Sequence, residues 1–191
     1  MVCTYYGLTC FKMQVAENIL AIDPFGKGED FSPPRFEAHV VLLSHPDTKQ
    51  DFSISGNPLI LSTPGEYETR SIILQGTPTP ETTAFLIEWE GMKTLHLGNI
   101  RKSSSIEPLL EHNETIDILM ASTAGDPSEV QKIINRIDPR IVILMQGPGA
   151  KKGSTEAVAK ELGEKIERLD KLSIKKKMLP TEGQRLLVLG S

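Results

Sequence analysis

Cysteine is scarce. The 191-residue chain has two, Cys3 and Cys10, too few for the disulfide framework of a small secreted scaffold. They can face each other across neighbouring strands, which leaves two readings open, a pair of buried thiols or a redox pair. Long apolar runs are missing too. No window approaches the roughly 18 apolar residues of a membrane-spanning helix. The opening Met1-Val-Cys-Thr-Tyr-Tyr-Gly7 has neither the basic start nor the apolar stretch of a secretory signal. A soluble, reduced, cytoplasmic protein with no membrane contact is expected. Positive charge is not in excess: 21 Lys and Arg stand against 25 Asp and Glu, a net charge of −4. Nucleic acid held by phosphate neutralisation is therefore not the expected partner.

What is present suits a packed core. Hydrophobic residues make up 39% and charged residues 24%, and the length favours one domain over 1–191. No repeat, low-complexity segment or linker divides it. The first half reads as strands: Thr4–Gly7, Cys10–Ala16, a turn at Glu17-Asn18, Ile19–Ile22, the buried run after His39, Phe52–Ser55, Leu59–Leu61, Gly65–Glu68 and Ile72–Leu74. Gly76-Thr-Pro-Thr-Pro80 reads as a breaker. Thr82–Trp89 and Lys93–Leu97 pair about Glu90-Gly91. The second half alternates. Ser103–Glu111 is a short helix candidate, and Ile116–Met120 and Ile141–Met145 are buried strands. Between them Asp126-Pro127 caps a helix with Val130, Ile133, Ile134 and Ile137 at helical spacing. Ser154 is expected to cap a helix striped by Ala157, Val158, Leu162 and Ile166. Leu172–Ile174 and Leu186–Leu189 close the chain. This order predicts an α/β (α+β) fold, a sandwich of two sheets with helices packed outside.

Several polar residues sit where such strands end. Asp23 precedes Pro24, which biases it away from the helical region. His45 opens a polar run, His45-Pro-Asp-Thr-Lys-Gln50. His96-Leu-Gly-Asn99 and Met145-Gln146 end later strands. Gly26–Pro34 reads as a surface loop or a flap over a pocket. Glu66 stands in a glycine-led turn, as a general acid or base or as a turn-stabilising carboxylate beside a packing Tyr67. Gln146-Gly-Pro-Gly-Ala-Lys-Lys-Gly-Ser-Thr155 joins a strand to a helix. Gly149, Lys151, Lys152 and Ser154 there suit an anion at a helix N-terminus, although the order is not that of a P-loop; a flexible turn is the other reading. Lys175–Lys177 is a short solvated charge run.

In order, these signposts resemble the metallo-β-lactamase superfamily. Thr4-Tyr-Tyr-Gly-Leu-Thr-Cys-Phe11 is similar to its opening, and Asp23-Pro24-Phe25 to its Asp-Pro strand end. The His45 run keeps the frame of His-x-His-x-Asp-His, and His96-Leu-Gly-Asn99 that of His-x-Gly-Asp. Pro139–Gln146 resembles a last core strand ending in Met-His. Pro64-Gly-Glu-Tyr-Glu68 resembles a signature of the branch related to ascorbate-phosphate lactonases. The resemblance implies a four-layer αβ/βα sandwich of two mixed sheets. It also implies a site where imidazoles and carboxylates converge on one or two metal ions.

The metal positions carry over poorly. His45 matches the first ligand. Asp47 stands for a histidine, Lys49 for the aspartate, Gln50 for a histidine, Asn99 for the bridging carboxylate and Gln146 for the closing histidine. Asp23 and His96 take supporting places, while His39 and His112 lie outside the frames. No metal is expected; if one binds, His45 and Asp47 would hold it. Lys49 is either a stand-in for the cation, pairing with Asp47 or Asp23, or a solvent-facing lysine. Two functions follow. The first is a non-catalytic binding or assembly module, with a second copy or another protein as partner. The second is a hydrolase of phosphodiester, lactone or related ester substrates. It would use weakly held zinc or manganese, or no metal, with His45, Asp47 and Lys49 as its catalytic residues and Lys49 stabilising developing negative charge.

Overall fold

The computed structural model describes residues 1–27, 31–45, 52–111 and 115–190. In chain order the strands are β1 (Val2–Gly7), β2 (Cys10–Val15), β3 (Asn18–Ile22), β4 (Val40–Leu42), β5 (Leu59–Leu61), β6 (Gly65–Thr69), β7 (Ile72–Pro78), β8 (Thr83–Trp89), β9 (Met92–His96), β10 (Ile118–Ser122), β11 (Ile141–Met145), β12 (Ile166–Leu169), β13 (Leu172–Ser173) and β14 (Arg185–Leu189). The α-helices among the described residues are α1 (Glu107–Leu110), α2 (Pro127–Ile137) and α3 (Ser154–Leu162), and a 3-10 turn at Ser103–Ile106 leads into α1. None is long and apolar enough to cross a membrane.

Two mixed sheets face each other. One runs β13-β1-β2-β3-β4-β5, the other β12-β14-β11-β10-β9-β8-β7-β6. Alternation along each strand sends one set of side chains between the sheets. Phe11, Met13, Leu20, Leu42, Phe85, Ile87, Met120 and Ile143 meet there in one buried cluster. The other face of the larger sheet carries Leu95, Leu119, Ala121, Val142 and Leu144, packed against Val130, Ile133 and Ile134 of α2 and Val158 and Ala159 of α3. β10 and β11 are therefore buried on both faces, which explains why their sequences are unbroken apolar runs rather than alternating ones. The outer face of the smaller sheet is covered without a helix among the described residues. Phe36, Phe52, Ile54 and Ala38 lie over Ala21, Val41 and Leu43.

The helix ends follow from their residues. Asp126 Oδ1 accepts from Ser128 N at 2.9 Å, Pro127 takes the first helical position, and Asp138 ends α2 at φ 48°. At α3 the expected cap is displaced by one residue. Gly153, at φ 82°, precedes the helix, and the Ser154 hydroxyl bonds Thr123 Oγ1 at 2.8 Å instead of capping.

Other expectations are corrected. The β2–β3 turn is Ala16-Glu17, with Ala16 at φ 49°. Phe52–Ser55 forms no strand beyond a bridge from Ser55 to Glu37; its apolar residues are used in covering the sheet. β7 runs through Gly76 to Pro78, because Gly76 leaves room for Phe85, which a Cβ would meet at 3.0 Å. Ile166 lies in β12, beyond the αL glycine, Gly163, that ends α3. Cys3 and Cys10 do not face each other. Cys3 pairs with Met13 and Cys10 with Gly7, four positions along the ladder, or about 13 Å at strand spacing. Both thiols are free and buried, and burial pushes the Cys3 thiol up to about 12, so neither is a ready thiolate.

Candidate functional site

β3, β4 and β5 run parallel, as do β9, β10, β11, β14 and β12. The carboxyl ends of both sets meet at one rim, the kind of edge where open α/β sheets bind ligands. Bonds between the sheets fix this meeting. Thr82 Oγ1 and Thr83 N donate to Ser44 O at 2.7 and 2.9 Å. His96 Nε2 lies 3.1 Å from Thr9 O, and Gln146 N donates to Tyr5 Oη at 3.0 Å.

Asp23 ends β3 at φ 44°, outside the right-handed helical region as Pro24 implies, but in the left-handed one. From there its carboxylate accepts from Ser44 N and from Ser44 Oγ, both at 2.6 Å. Ser44 is fully buried and Asp23 is 9% exposed. Ser44 Oγ also lies 3.0 Å from His45 Nδ1. A serine hydroxyl has one proton, and a carboxylate only accepts. With that proton on the Asp23 side, Ser44 Oγ accepts from His45 Nδ1–H, and His45 Nε2 is left with a bare lone pair. Nε2 has no partner among the described residues.

His96 is closed off. Gly98 N donates to its Nδ1 at 3.1 Å, so Nε2–H donates to Thr9 O. Gly98, at φ 57°, brings its Cα against Ser44 Oγ and Thr82 Oγ1, each 2.9 Å from where a Cβ would be. Burial lowers the His96 pKa below its ordinary 6.5; His45 adds to this, while Asp23 and the Thr9 bond oppose it. The unfolded chain therefore takes up a proton that the folded chain refuses. Stability from this group is complete above pH 6.5 and falls as pH drops toward the lowered folded value. Urea unfolding midpoints should decline from pH 6.5 downward, and His96→Gln, weaker overall, should flatten that decline.

Asn99 is also turned inward. Its Oδ1 accepts from Ser122 Oγ at 2.9 Å and its Nδ2 donates to Pro148 O at 3.3 Å. Gly147 packs so closely on Ser122 Oγ that a Cβ would collide with it, and would lie 2.7 Å from Asn99 Oδ1. Gln146 is exposed, and its side chain makes no hydrogen bond to the described residues. Tyr5 Oη, besides holding Gln146 N, donates to Leu8 O at 2.9 Å. Burial raises its pKa, so the phenol keeps its proton.

Of the other residues singled out in the sequence, Asp47, Lys49, Gln50 and His112 lie outside the described residues. His39 Nδ1 accepts from Ile19 N at 3.2 Å, a strand-end role. Glu66 is exposed on the edge strand β6, and Tyr67 Oη bonds Thr63. Lys151, Lys152 and Gly149 are exposed; Ser154 N donates to Lys151 O at 3.0 Å, so Ser154 is bound within its own turn. Tyr5, Ser44, Glu81, Arg101 and Ser122 shape the rim without having been anticipated. Tyr5 stood in the opening motif, Ser44 directly before the His45 run and Arg101 two residues after Asn99, while Glu81 and Ser122 had no such signal.

Zinc sites need three or four strong donors, histidine, cysteine or carboxylate. Among the described residues, His45 Nε2 is a donor with a free lone pair. Asp23 and His96 use their polar atoms on the protein, and Asn99 and Gln146 are neutral amides. No group of three or more His, Cys, Asp or Glu among the described residues converges to hold a metal. The described donors do not fit the family's ion. Cavities of about 470 and 390 Å³ lie elsewhere, one lined by Leu86, Leu95, Leu110 and Ile137, the other by Arg140, Pro180 and Gln184.

The sequence matches no curated protein. Solved structures show the same fold. A proposed Zn-dependent hydrolase of the metallo-β-lactamase superfamily from Thermotoga maritima superposes with a TM-score of 0.80 at 23% identity, covering 99% of this chain and 98% of that one. A metallo hydrolase from Ignicoccus hospitalis gives 0.62 at 13% identity over 91% of this chain and 99% of its own. The metallo-β-lactamase fold protein YhfI from Bacillus subtilis gives 0.58 at 9% identity over 100% and 97%. The family model for the β-lactamase superfamily domain matches residues 3–146, the span that carries the two facing sheets as far as the Gln146 strand end, and the chain belongs to that family.

Proposed function

We propose that this chain is a metallo-β-lactamase-fold protein that has lost the dinuclear metal site and works as a binding or assembly module. The observation that carries the reading is Asn99. At the position where relatives place a bridging carboxylate, both ends of a neutral amide are tied to Ser122 and Pro148. The rim is thus cross-linked by its own side chains, and no negative charge at Asn99 awaits a cation. A second copy or another protein is the expected partner. Among the described residues β5 is an open sheet edge with Leu59 48% exposed, an apolar edge of the kind that partners cover. Two buried free thiols suit a reduced, cytoplasmic setting.

The alternative is a hydrolase of phosphodiester, lactone or related ester bonds that uses weakly held zinc or manganese, or no metal. It is favoured by the bare Nε2 of His45, which Ser44 and Asp23 hold in a fixed orientation. There His45 would take the proton from an attacking water. Metal content after equilibration with zinc or manganese, together with turnover of an ester and phosphodiester panel with either metal or none, separates the two. The module reading expects metal far below one ion per chain and equal background turnover in the parent and His45→Ala. Stoichiometric metal, or turnover that disappears in His45→Ala, would overturn it.

A further inference from the structure

The loop after β9 carries a fixed guanidinium to the rim. Arg101 is exposed, yet both of its ends are held. Its amide donates to Glu81 Oε2 at 2.9 Å and the next amide, Lys102 N, to Glu81 Oε1 at 3.3 Å. Ser105 Oγ donates to the same carboxylate at 2.6 Å. Gly125 closes on the Arg101 backbone, where a Cβ would lie 2.8 Å from Arg101 O. At the far end Nη2 donates to Pro148 O at 2.8 Å, in the loop after β11. Gly149 follows at φ 82°, and a Cβ there would sit 3.4 Å from Nη2 and 4.0 Å from Nη1. The guanidinium therefore lies against a residue with no side chain.

A guanidinium has five N–H donors. Among the described residues, Arg101 uses one of them on Pro148 O and forms no ion pair. Glu81, the nearest carboxylate by bonding, accepts from backbone amides and a serine rather than from the guanidinium. A planar fork with most of its donors open matches two oxygens of a phosphate or carboxylate. Lys151 and Lys152, exposed in the loop that contains Gly149, add positive potential on the same side of the chain.

We infer that Arg101 anchors an oxyanion-binding site at the rim, taking a phosphate or carboxylate group of a ligand, with Gly149 permitting its close approach. This deepens the binding-module reading by naming the ligand's chemistry, and it moves the anion-recognising charge from the start of α3 to the β9 loop.

The test is a titration with inorganic phosphate, and separately with acetate, at constant ionic strength, followed by the Arg101 Nε–H and Gly149 amide resonances. A saturable shift with at least one of them is expected; which one saturates assigns the phosphate or the carboxylate. Arg101→Gln keeps a donor for Pro148 O but should weaken binding about tenfold or more. Arg101→Lys keeps the charge without the fork and should also weaken it, while the Lys151→Ala, Lys152→Ala double variant should stay within about threefold. The inference is overturned by no saturable shift with either anion, or by unchanged affinity in Arg101→Gln and Arg101→Lys. It is equally overturned if the lysine pair alone carries the binding. A metal found at His45 would sink the module reading and leave these outcomes as they are, so the two failures are distinct.

Discussion

Asp23→Ala should remove about 3 kcal/mol from the unfolding free energy measured by urea titration. Two short bonds end on that carboxylate; its loss leaves the amide of a fully buried serine without an acceptor and forces the serine hydroxyl to turn to His45 Nδ1. Such an orphan is worth about 1–3 kcal/mol. The conservative variant asks a sharper question. Asp23→Asn keeps a carbonyl for Ser44 N, but its amide now donates to Ser44 Oγ. The serine proton then turns toward His45 Nδ1, and the imidazole proton moves to Nε2. Nitrogen NMR of His45 should show the Nδ1–H tautomer in the parent and the Nε2–H tautomer in Asp23→Asn. A parent imidazole already protonated at Nε2 would refute the relay from Asp23 through Ser44.

Gly147→Ala should be as damaging, at about 3 kcal/mol, for a steric reason. Its backbone is not among the positive-φ glycines, so alanine meets no backbone strain there. The obstacle is Ser122 Oγ, with Asn99 Oδ1 at 2.7 Å and Ser122 Cβ at 3.1 Å behind it. Ser122→Gly removes the serine atoms and should recover part of the loss, giving a coupling of more than about 1 kcal/mol in a double-mutant cycle. Strict additivity would mean that the strand ends of β9, β10 and β11 are not locked through this contact. At Gly98 the outcome should differ: its φ of 57° keeps an alanine strained even when Ser44 and Thr82 are trimmed.

The parts of the fold legible in the sequence are those decided locally. β10 and β11 stand out because burial on both faces demands unbroken apolar runs, and α2 because Asp126, Pro127 and the spacing of Val130, Ile133 and Ile134 agree. Glu90-Gly91 marks its hairpin through two residues at positive φ. The misread segments are those where a distant partner decides. Phe52 and Ile54 alternate as a strand would, yet their apolar side chains are used in covering the smaller sheet. Gly76 reads as a breaker until Phe85 is known to lie across from it. The rim divides in the same way. Asp23, His45, His96, Asn99 and Gln146 were visible as strand-end residues in a known order. Tyr5, Ser44, Glu81, Arg101 and Ser122 act through contacts up to 141 residues apart in sequence; Tyr5 and Ser44 adjoin recognised motifs, but nothing in residue type names the partner each one meets.

The pairing of β1 with β13 has a bearing on how the chain comes off the ribosome. Val2 lies opposite Ser173 and Cys3 opposite Leu172, and Met1 and Ile174 exchange hydrogen bonds in both directions. An early strand is thus sealed by one made about 170 residues later. At about 5–20 residues per second, roughly ten to thirty seconds pass with that flank of β1 unpaired. An open strand flank is a template for stray association, so the newborn protein has a vulnerable interval fixed by topology, and early termination anywhere before residue 172 would make it permanent.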